Sequence, residues 1–390
     1  MKTVYTKIPC YSGDVSGAAS ALFELGGMVV IHDPSGCNST YNTHDEIRWY
    51  EQESLIFISG LNDMDAIVGN DEKFVADVVE AAQSLHPRFV ALCNSPIPYI
   101  TGTDFEALAA MIEDQLDIPV FYIQTNGLHD YVSGAAGAFA AVAEQEMIQP
   151  IKTKPHSVNI LGLTPLDFDA PGSAASLIQK LEASGWKVVS NWALDCEPDE
   201  ILQAGSAAVS LVVSSTGWEA AQILKRRFGI PAVAGCPVGG FAPLVIDAMN
   251  QSEADGKNRI PYAEILSAKT NLKPETAVVG EAVGAASLGA ALALDQGRAV
   301  QITVPTESPA ALCPKASRTD GESAIEDRIN RADCVVADPL YHTLLHRDTA
   351  LVPYHHFAFS GRIGYDQAEN VFEDSAYQKI LERTENGSIK

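Results

Sequence analysis

Short apolar runs alternate with helical segments along the whole chain, and this alternation is typical of parallel α/β layers. The basic, proline-containing stretch at residues 150–155 indicates a linker after the first such unit. We therefore predict an α/β fold of three Rossmann-like parallel-sheet domains around a central cleft, covering residues 1–150, 151–265 and 266–390. The predicted strands are residues 28–31, 88–92 and 119–124 in the first unit, 158–162, 187–190, 209–213 and 232–234 in the second, and 276–280, 300–304, 334–337 and 351–354 in the third.

Helical patterns fill residues 72–85, 105–115 and 131–145, and a last helix is predicted over 366–383. The turn Gly280-Glu281-Ala282-Val283-Gly284 separates a strand from a helix, where a phosphate can bind. However, Glu281 places a carboxylate there, so we favour close helix–sheet packing. The chain has no Walker A sequence, and ATP would have to be hydrolysed by another protein.

Three of the seven cysteines stand beside proline, glycine, serine or asparagine, residues that indicate turns. They are Cys10, Cys37 and Cys93. A thiol on a loop at the end of a buried strand can point out of the core and reach a metal ion. Each of them alone could equally be a small buried hydrophobic residue. The presence of three cysteines in such surroundings indicates that they bind a metal.

The spacing of these cysteines narrows the kind of metal site. Cys10, Cys37 and Cys93 are 27 and 56 residues apart, and the chain has none of the C-x-x-C pairs of zinc and ferredoxin sites. Such ligands converge only through the fold. Three thiolates are one short of the usual four of a cuboidal iron–sulfur cluster. A second chain would supply the missing ligand, so we expect a cluster at a subunit interface.

The cysteines and several other motifs resemble component 1 of nitrogenase and its relatives. These relatives include the cofactor-scaffold subunits, the dark-operative protochlorophyllide reductase subunits and the nickel-sirohydrochlorin reductive cyclase. The resemblance covers nearly the whole chain, and the cysteines with the Gly69–Lys73 segment are its most specific part. Its motifs are Cys10, Gly36-Cys37, Cys93 with the turn at residues 100–104, the segment 63–74, the crossover at 124–128 with Gly134 and Gly137, and Phe228-Gly229-Ile230-Pro231.

The resemblance implies that Cys10, Cys37 and Cys93 bind an interfacial iron–sulfur cluster. This would be a 4Fe–4S cluster or an eight-iron cluster similar to the P-cluster. It implies a homodimer or a homologous second subunit, and an ATP-hydrolysing iron protein as the electron donor. It also implies a ligand site in the interdomain cleft, with a second metal cofactor as one option. The family's cofactor-ligating histidine aligns with His355, five residues before Ser360 in a segment similar to the family's Ser-Gly-x-x-x-Gly-Tyr-Asp.

His355 follows a predicted strand, so it would lie at a carboxyl edge, where parallel sheets bind ligands. Its imidazole could ligate a metal or donate a proton, and Arg362 could hold a carboxylate or another anion. The alternative is that His355 and His356 pack in the core or at its rim and that Arg362 forms a surface ion pair. Two further cysteines follow predicted strands, and their thiols could face the cleft. In the absence of other evidence we expect them to be buried thiols without a functional role. They are Cys196 and Cys236.

Two departures from the family pattern argue against reduction of dinitrogen by this chain alone. The family's cofactor cysteine falls in register on Ala221 or Gln222, neither of which can replace a thiolate. The family's catalytic histidine falls on residues 135–138, where this chain has none.

The composition of the chain limits which partners it can bind and in which cellular compartment we expect it. The net charge is −24, with 50 acidic against 26 basic residues, which disfavours nucleic acid and anionic membranes. No apolar run is long enough to span a bilayer, and the first residues lack the apolar core of a signal peptide. An odd number of cysteines, seven, favours reduced thiols. We expect a cytoplasmic protein that binds neither nucleic acid nor a membrane.

The leading hypothesis is an oxidoreductase similar to nitrogenase component 1. It would take electrons from an iron protein through the interfacial cluster and reduce a substrate or cofactor in the cleft. A tetrapyrrole, a small sulfur or nitrogen compound and a metal cofactor stay open as substrates. The alternative is a metal-cofactor assembly scaffold without turnover. A third hypothesis is a binding protein of the same shape without a cluster.

Overall fold

The computed structural model describes residues 6–7, 10–36, 46–268, 273–319 and 321–386. Within these ranges the strands form three sheets, each of four parallel strands. The α/β fold of three Rossmann-like units is therefore confirmed. The strands are β1 (Met28–His32), β2 (Ile56–Ile58), β3 (Val90–Asn94) and β4 (Val120–Ile123), then β5 (Ser157–Leu163), β6 (Lys187–Ala193), β7 (Val209–Val212) and β8 (Ala232–Ala234), then β9 (Thr276–Val279), β10 (Val300–Thr303), β11 (Cys334–Ala337) and β12 (Ala350–Pro353).

Helices connect the strands of every unit. None of those in the described ranges is both long and apolar enough to cross a membrane. The α-helices are α1 (Asp14–Leu22), α2 (Asp63–Val68), α3 (Asp71–Leu85), α4 (Pro96–Thr101), α5 (Phe105–Glu113), α6 (Tyr131–Glu144), α7 (Ser173–Ala183), α8 (Pro198–Ile201), α9 (Trp218–Phe228), α10 (Ala242–Asp255), α11 (Tyr262–Ser267), α12 (Ala282–Asp295), α13 (Glu322–Ile329), α14 (Phe357–Ser360) and α15 (Asp374–Glu385). Short 3-10 helices cover Ile47–Tyr50, Ala204–Ser206, Ser215–Gly217, Gly239–Phe241, Pro339–Leu344 and Tyr365–Gln367.

All three sheets have the same strand order. The second strand of each unit lies at one edge, followed by the first, the third and the fourth. The carboxyl ends of parallel strands meet at one edge of a sheet, and the polar residues that follow them collect there. This topology decides where the candidate site residues lie.

One continuous hydrophobic core joins the three units. It contains Val29 of the first sheet, Leu211 of the second and Val278 of the third, all buried. The helices α1 and α6 cross very closely because glycines lie at the crossing. A Cβ atom on Gly134 would stand 1.7 Å from the Asp14 carbonyl oxygen, so only glycine fits there.

Every predicted strand forms within a few residues of its predicted bounds. The sequence pattern missed β2, which has three residues and lies at a sheet edge, where no long apolar run is needed. The last helix begins at Asp374 rather than at residue 366, so that prediction was wrong at its start. The 3-10 turn Tyr365–Gln367 ends at Ala368, whose ψ of 128° is extended, so no continuous helix runs from residue 366.

Candidate functional site

Cys93 lies inside strand β3 rather than in a turn, which corrects the sequence-based expectation. Its backbone pairs with Ile31 of β1 and Ile123 of β4, and its side chain is fully buried. The turn residues around it belong to the start of α4, where Pro96 is the first residue. Burial, with the nearby charge of Asp14, raises the pKa of the Cys93 thiol to about 12. The thiol is therefore protonated within a single chain.

Cys10 lies where the first unit contacts the third. Its partly buried thiol is 3.5 Å from the Ala358 carbonyl oxygen and 3.7 Å from that of Ser12. The Ser12 amide donates a hydrogen bond of 3.0 Å to the same Ala358 carbonyl. Burial and the negative charge of Asp130 raise the pKa of the Cys10 thiol. These contacts hold Cys10 between the two units.

Asp14 connects the segment after Cys10 to the carboxyl edge of the first sheet. Its buried carboxylate accepts hydrogen bonds from the amides of Asn126 and Gly127, each at 2.8 Å, in the loop after β4. The same carboxylate is close enough to Cys93 to raise the pKa of its thiol. The segments that carry Cys10 and Cys93 therefore meet at one sheet edge.

Cys37 lies outside the described residues, but the chain that leads to it is described. β1 ends at His32, which pairs with Asn94, the residue after Cys93. The Asp33 carboxylate then accepts a hydrogen bond of 2.9 Å from the Ser35 amide, which forms a turn. The chain thus leaves β1 beside Cys93 and turns two residues before Cys37.

The cysteines suit an iron–sulfur cluster in chemistry, because thiolates are its usual ligands, and the segments that carry Cys10 and Cys93 meet at one sheet edge. The described part of the chain, which excludes Cys37, contains no group of three or more histidine, cysteine, aspartate or glutamate side chains that could hold a metal ion. The assignment of Cys10, Cys37 and Cys93 as ligands stays a prediction.

Exposed apolar side chains cover the same edge of the first sheet, and we call them the edge patch. Helix α2 has no buried residue, and its Ile67 is 79% exposed. Ile100 on α4 is 78% exposed. Large apolar patches of this kind usually mark interaction surfaces. The edge patch consists of Met64, Ile67 and Val68 on α2, Ile97, Tyr99 and Ile100 on α4, and Leu128 after β4.

Asp167 joins all three units at the centre of the molecule. This buried carboxylate follows β5 and accepts a 2.5 Å hydrogen bond from the Tyr131 hydroxyl of the first unit. The Ser214 hydroxyl of the second unit donates to it at 2.5 Å. In the third unit, Nε2 of His356 lies 3.3 Å from its Oδ1 atom.

Glu281 is a second buried carboxylate at this centre. It caps α12 by accepting hydrogen bonds from the Val283 and Gly284 amides. It also accepts from the amide and hydroxyl of Ser215 in the second unit, at 2.9 and 2.7 Å. Burial and the charge of Asp167 raise the pKa of Glu281 to about 7. The carboxylate fills the start of α12, where a phosphate would otherwise bind.

The cavity between these carboxylates has about 30 Å³, room for about one water molecule. Cys236 lines it, with its thiol 3.0 Å from the Val213 carbonyl oxygen, and burial raises the pKa of that thiol. Cys196 lies elsewhere, beside Glu24 of the first unit, whose carboxylate accepts its amide hydrogen bond at 2.8 Å. A metal cofactor or a tetrapyrrole does not fit this central cavity.

His355 lies two residues after β12 and contacts the second unit. Its Nδ1 atom is hydrogen-bonded to the buried carboxylate of Asp169. Burial lowers the pKa of His355, but the hydrogen bond and charge of Asp169 outweigh it, so the pKa is raised. Nε2 is buried and has no hydrogen-bond partner among the described residues, and the Ile363 backbone also raises the pKa of His355. The cleft side of His355 is therefore already occupied by Asp169.

The cavity that His355 lines is separate from the central one. It has about 220 Å³ and is also lined by Gln367, Glu369 and Arg383. Arg383 and Glu369 form an ion pair of 3.2 Å across it. Arg362 is not among its lining residues and lies on an exposed turn close to Tyr365. A Cβ atom on Gly364, in the same turn as Arg362, would lie 3.5 Å from the His355 ring, so Arg362 belongs to an exposed turn beside His355.

Sequence reasoning missed Asp167, Asp169 and Tyr131, which organise the centre. A signal was present: Asp167 and Asp169 lie in the loop that follows the buried strand β5, at an edge where parallel sheets gather functional groups. Tyr131 gave no comparable signal, because an aromatic residue at the start of a helix is usually part of the core.

Three parallel four-stranded sheets on one core, with a buried polar centre between the units, define an α/β protein of three Rossmann-like units. The chain belongs to the family of nitrogenase component 1 type oxidoreductases, whose family model matches residues 14–242. This match includes all strands of the first two sheets and ends at the first residue of α10.

The relatives include both catalytic and cofactor-assembly proteins. The chain is 26% identical to the nitrogenase iron-molybdenum cofactor biosynthesis protein NifE of Clostridium pasteurianum, over 57% of this chain and 52% of that protein. It is 22% identical to the nitrogenase molybdenum-iron protein alpha chain of Methanosarcina barkeri, over 52% of this chain and 39% of that protein. A light-independent protochlorophyllide reductase of Prosthecochloris aestuarii is 25% identical over 54% of this chain and 39% of the relative. The chain spans about half the length of the curated relatives it matches.

Among solved structures, the chain is similar to one described as nitrogenase Cp1 at pH 5. The TM-score is 0.64 at 15% identity, and the match covers 99% of this chain and 90% of the other. At this identity the similarity supports the fold alone.

Proposed function

We propose that this chain is the component 1 subunit of a two-component reductase that receives electrons from an ATP-hydrolysing iron protein. Family membership supports this proposal. The observation that carries it is the coincidence of the edge patch with the edge where the segments of Cys10 and Cys93 meet. A shared cluster and a partner surface would then lie at the same place.

In this proposal Cys10, Cys37 and Cys93 bind an interfacial iron–sulfur cluster. It is a 4Fe–4S cluster with one further ligand, or an eight-iron cluster with three thiolates from each of two subunits. When bound, such a cluster stores and relays single electrons. The chain itself shields Cys93 from water and fixes the surrounding loops through Asp14. A homodimer, or a pair with a homologous subunit, would cover the edge patch.

At the substrate end, His355 is the residue that we expect to transfer a proton. Asp169 holds Nδ1 and raises the pKa, so Nε2 is the atom left to donate a proton near neutral pH. The adjoining cavity of about 220 Å³ accepts a small compound but not a tetrapyrrole. Arg362 would contact an anionic group only at the surface, since its turn is exposed.

The second candidate function is a metal-cofactor assembly scaffold without turnover. The central cavity of about 30 Å³ favours it, because a reactive cofactor has no room between the units. The similarity to NifE points in the same direction. In a scaffold, the cysteines would hold a precursor cluster at the sheet edge.

Anaerobic iron and sulfide analysis with an electron paramagnetic resonance spectrum tests the cluster. Cys37→Ala should lose the visible absorption and most of the bound iron. Cys313→Ala changes a partly buried thiol of the third unit and should keep both. Iron per oligomer distinguishes the two cluster types. A Cys37→Ala protein with full iron content, or a colourless iron-free wild type, would contradict the proposal.

Turnover with a partner iron protein and MgATP separates the reductase from the scaffold. We expect His355→Ala to keep the cluster spectrum and the melting temperature but to lose turnover. His346→Ala, an exposed histidine of the same unit, should keep all three. If His355→Ala lowers stability and leaves activity per folded molecule unchanged, His355 has a packing role. A wild type that turns over no compound favours the scaffold.

A further inference from the structure

A cavity of about 490 Å³ lies in the first unit, away from the polar centre. It lies along one face of β1, from Met28 to His32, and extends past the carboxyl ends of β1 and β2 beside the helices α2 and α3. Its volume falls within the range of roughly 300–1,000 Å³ that is typical of small-molecule sites. Its position agrees with the rule that open parallel sheets bind ligands beyond their strand ends.

The ionisable side chains that line this cavity are mostly acidic. Lys73 is paired with Asp65 at 3.0 Å. Asp71, Asp77 and Asp104 also line the cavity, and among the described residues none of these three forms an ion pair with a lysine or arginine. The cavity therefore carries a negative potential that attracts a cation. A phosphate is disfavoured, because Asp71 occupies the first turn of α3.

A buried histidine faces the same cavity with one nitrogen unused. His32 is 8% exposed, its Nδ1 atom is 2.7 Å from the Ser59 hydroxyl, and its ring packs on Phe74 with centroids 4.3 Å apart. Within the described ranges, its Nε2 atom has no hydrogen-bond partner. Burial lowers the pKa of His32 to about 4, so the ring is neutral and adds no repulsion to a cation. His32 lines the cavity, so a ligand there could form a hydrogen bond with Nε2.

We propose that this cavity binds a small amphipathic organic cation, an amine or amidinium carried on an apolar body. The carboxylates of Asp71, Asp77 and Asp104 select the positive head. Met28, Val30, Phe57 and Phe74 supply an apolar wall for the body. His32 adds a hydrogen-bonding nitrogen at the inner end. The site needs no cluster and no reductase activity, but Ile67 and Val68 of the edge patch also line the cavity, so it adjoins the proposed subunit interface.

The test uses the full chain with ¹³C-methyl-labelled methionine, titrated with 4-phenylbutylamine and observed by NMR. Met28 lines the cavity, Met64 lies on the outer surface of α2, and Met249 is buried in the second unit. We expect a saturable shift of the Met28 methyl signal and none of Met249. The neutral analogue 4-phenylbutanol should bind about tenfold more weakly, and 4-phenylbutanoate more weakly still.

Two variants on α3 sharpen the test. Asp71→Asn combined with Asp77→Asn should weaken amine binding about tenfold and leave alcohol binding unchanged. Glu80→Gln removes one charge from the same helix outside the cavity lining and should change neither. Melting temperatures show whether the variants fold. If the double variant does not fold, amine binding is measured with Asp77→Asn alone. Equal binding of amine and alcohol, a shift confined to Met64, or unchanged amine affinity in the folded aspartate variant would overturn the proposal.

Discussion

Tyr131 and Asp167 join the first unit to the second through a hydrogen bond of 2.5 Å between the phenolic oxygen and Oδ1. Both side chains are buried, and the same carboxylate is within 3.3 Å of His356 in the third unit. One aspartate therefore links all three sheets. Asp167 and His356 also line a cavity of about 30 Å³ between the second and third units.

Removing the Tyr131 hydroxyl should destabilise the protein. Tyr131→Phe leaves Asp167 with one donor fewer in a buried site, which costs about 1–3 kcal/mol of unfolding free energy. Urea unfolding measures this loss of unfolding free energy. Tyr99→Phe is the control, because Tyr99 is 50% exposed. Equal stability of the two variants would show that Tyr131 does not stabilise the junction through its hydroxyl.

Stability should fall as pH rises from about 4.5 to 7 because of Glu281. Its pKa is raised from 4.5 to about 7 in the folded state, so the folded protein holds this proton more tightly than the unfolded chain. The contribution is complete below pH 4.5 and is lost as pH passes 7. It amounts to roughly 2–4 kcal/mol.

Glu281→Gln isolates this effect. The variant should be less stable at pH 4.5, but its unfolding free energy should change less between pH 4.5 and 7 than that of the wild type. Glu264→Gln, an exposed glutamate on α11, should keep the wild-type slope. Denaturant unfolding across this pH range gives the slopes, and identical slopes for Glu281→Gln and wild type would refute the assignment.

The edge patch should mediate assembly. Ile67→Glu combined with Ile100→Glu places two charges on side chains that are 79% and 78% exposed, so folding should be unaffected. We expect the variant to sediment as a single chain under anaerobic conditions, whereas the wild type sediments as a dimer or with a second subunit. Leu294→Glu, 42% exposed on α12, is the control. A wild type with only the mass of one chain contradicts the prediction.

The close crossing of α1 and α6 should tolerate no side chain at Gly134. A Cβ atom there would lie 1.7 Å from the Asp14 carbonyl oxygen, so Gly134→Ala forces the helices apart and costs about 3 kcal/mol or more. Gly137→Ala lies one turn further along the same helix, where the nearest atom is 3.5 Å away. It should be neutral or stabilising by up to about 1 kcal/mol. Thermal unfolding compares them, and equal losses would contradict the packing argument.

The positions of several residues relative to strands and helices could be predicted from the sequence. His355 follows β12, and Glu281 blocks the start of α12, as expected from their neighbours in sequence. The turn residues around Cys93 were misleading, because they begin α4 while Cys93 itself ends up inside β3. Asp169, which holds His355, lies 186 residues away in sequence, and no local pattern reports such a contact.

The sequence by itself determined the three α/β units, because apolar strand patterns and helical periodicity are local and each unit repeats them. It also determined the family resemblance, because the cysteines and the glycine turns are short motifs. Only the tertiary structure decided which side chains meet between the units. Packing on one shared core sets the distances among Tyr131, Asp167 and His356, and it closes the centre while leaving the first unit with an open acidic cavity. Such contacts depend on how whole sheets pack together, and no stretch of sequence encodes that alone.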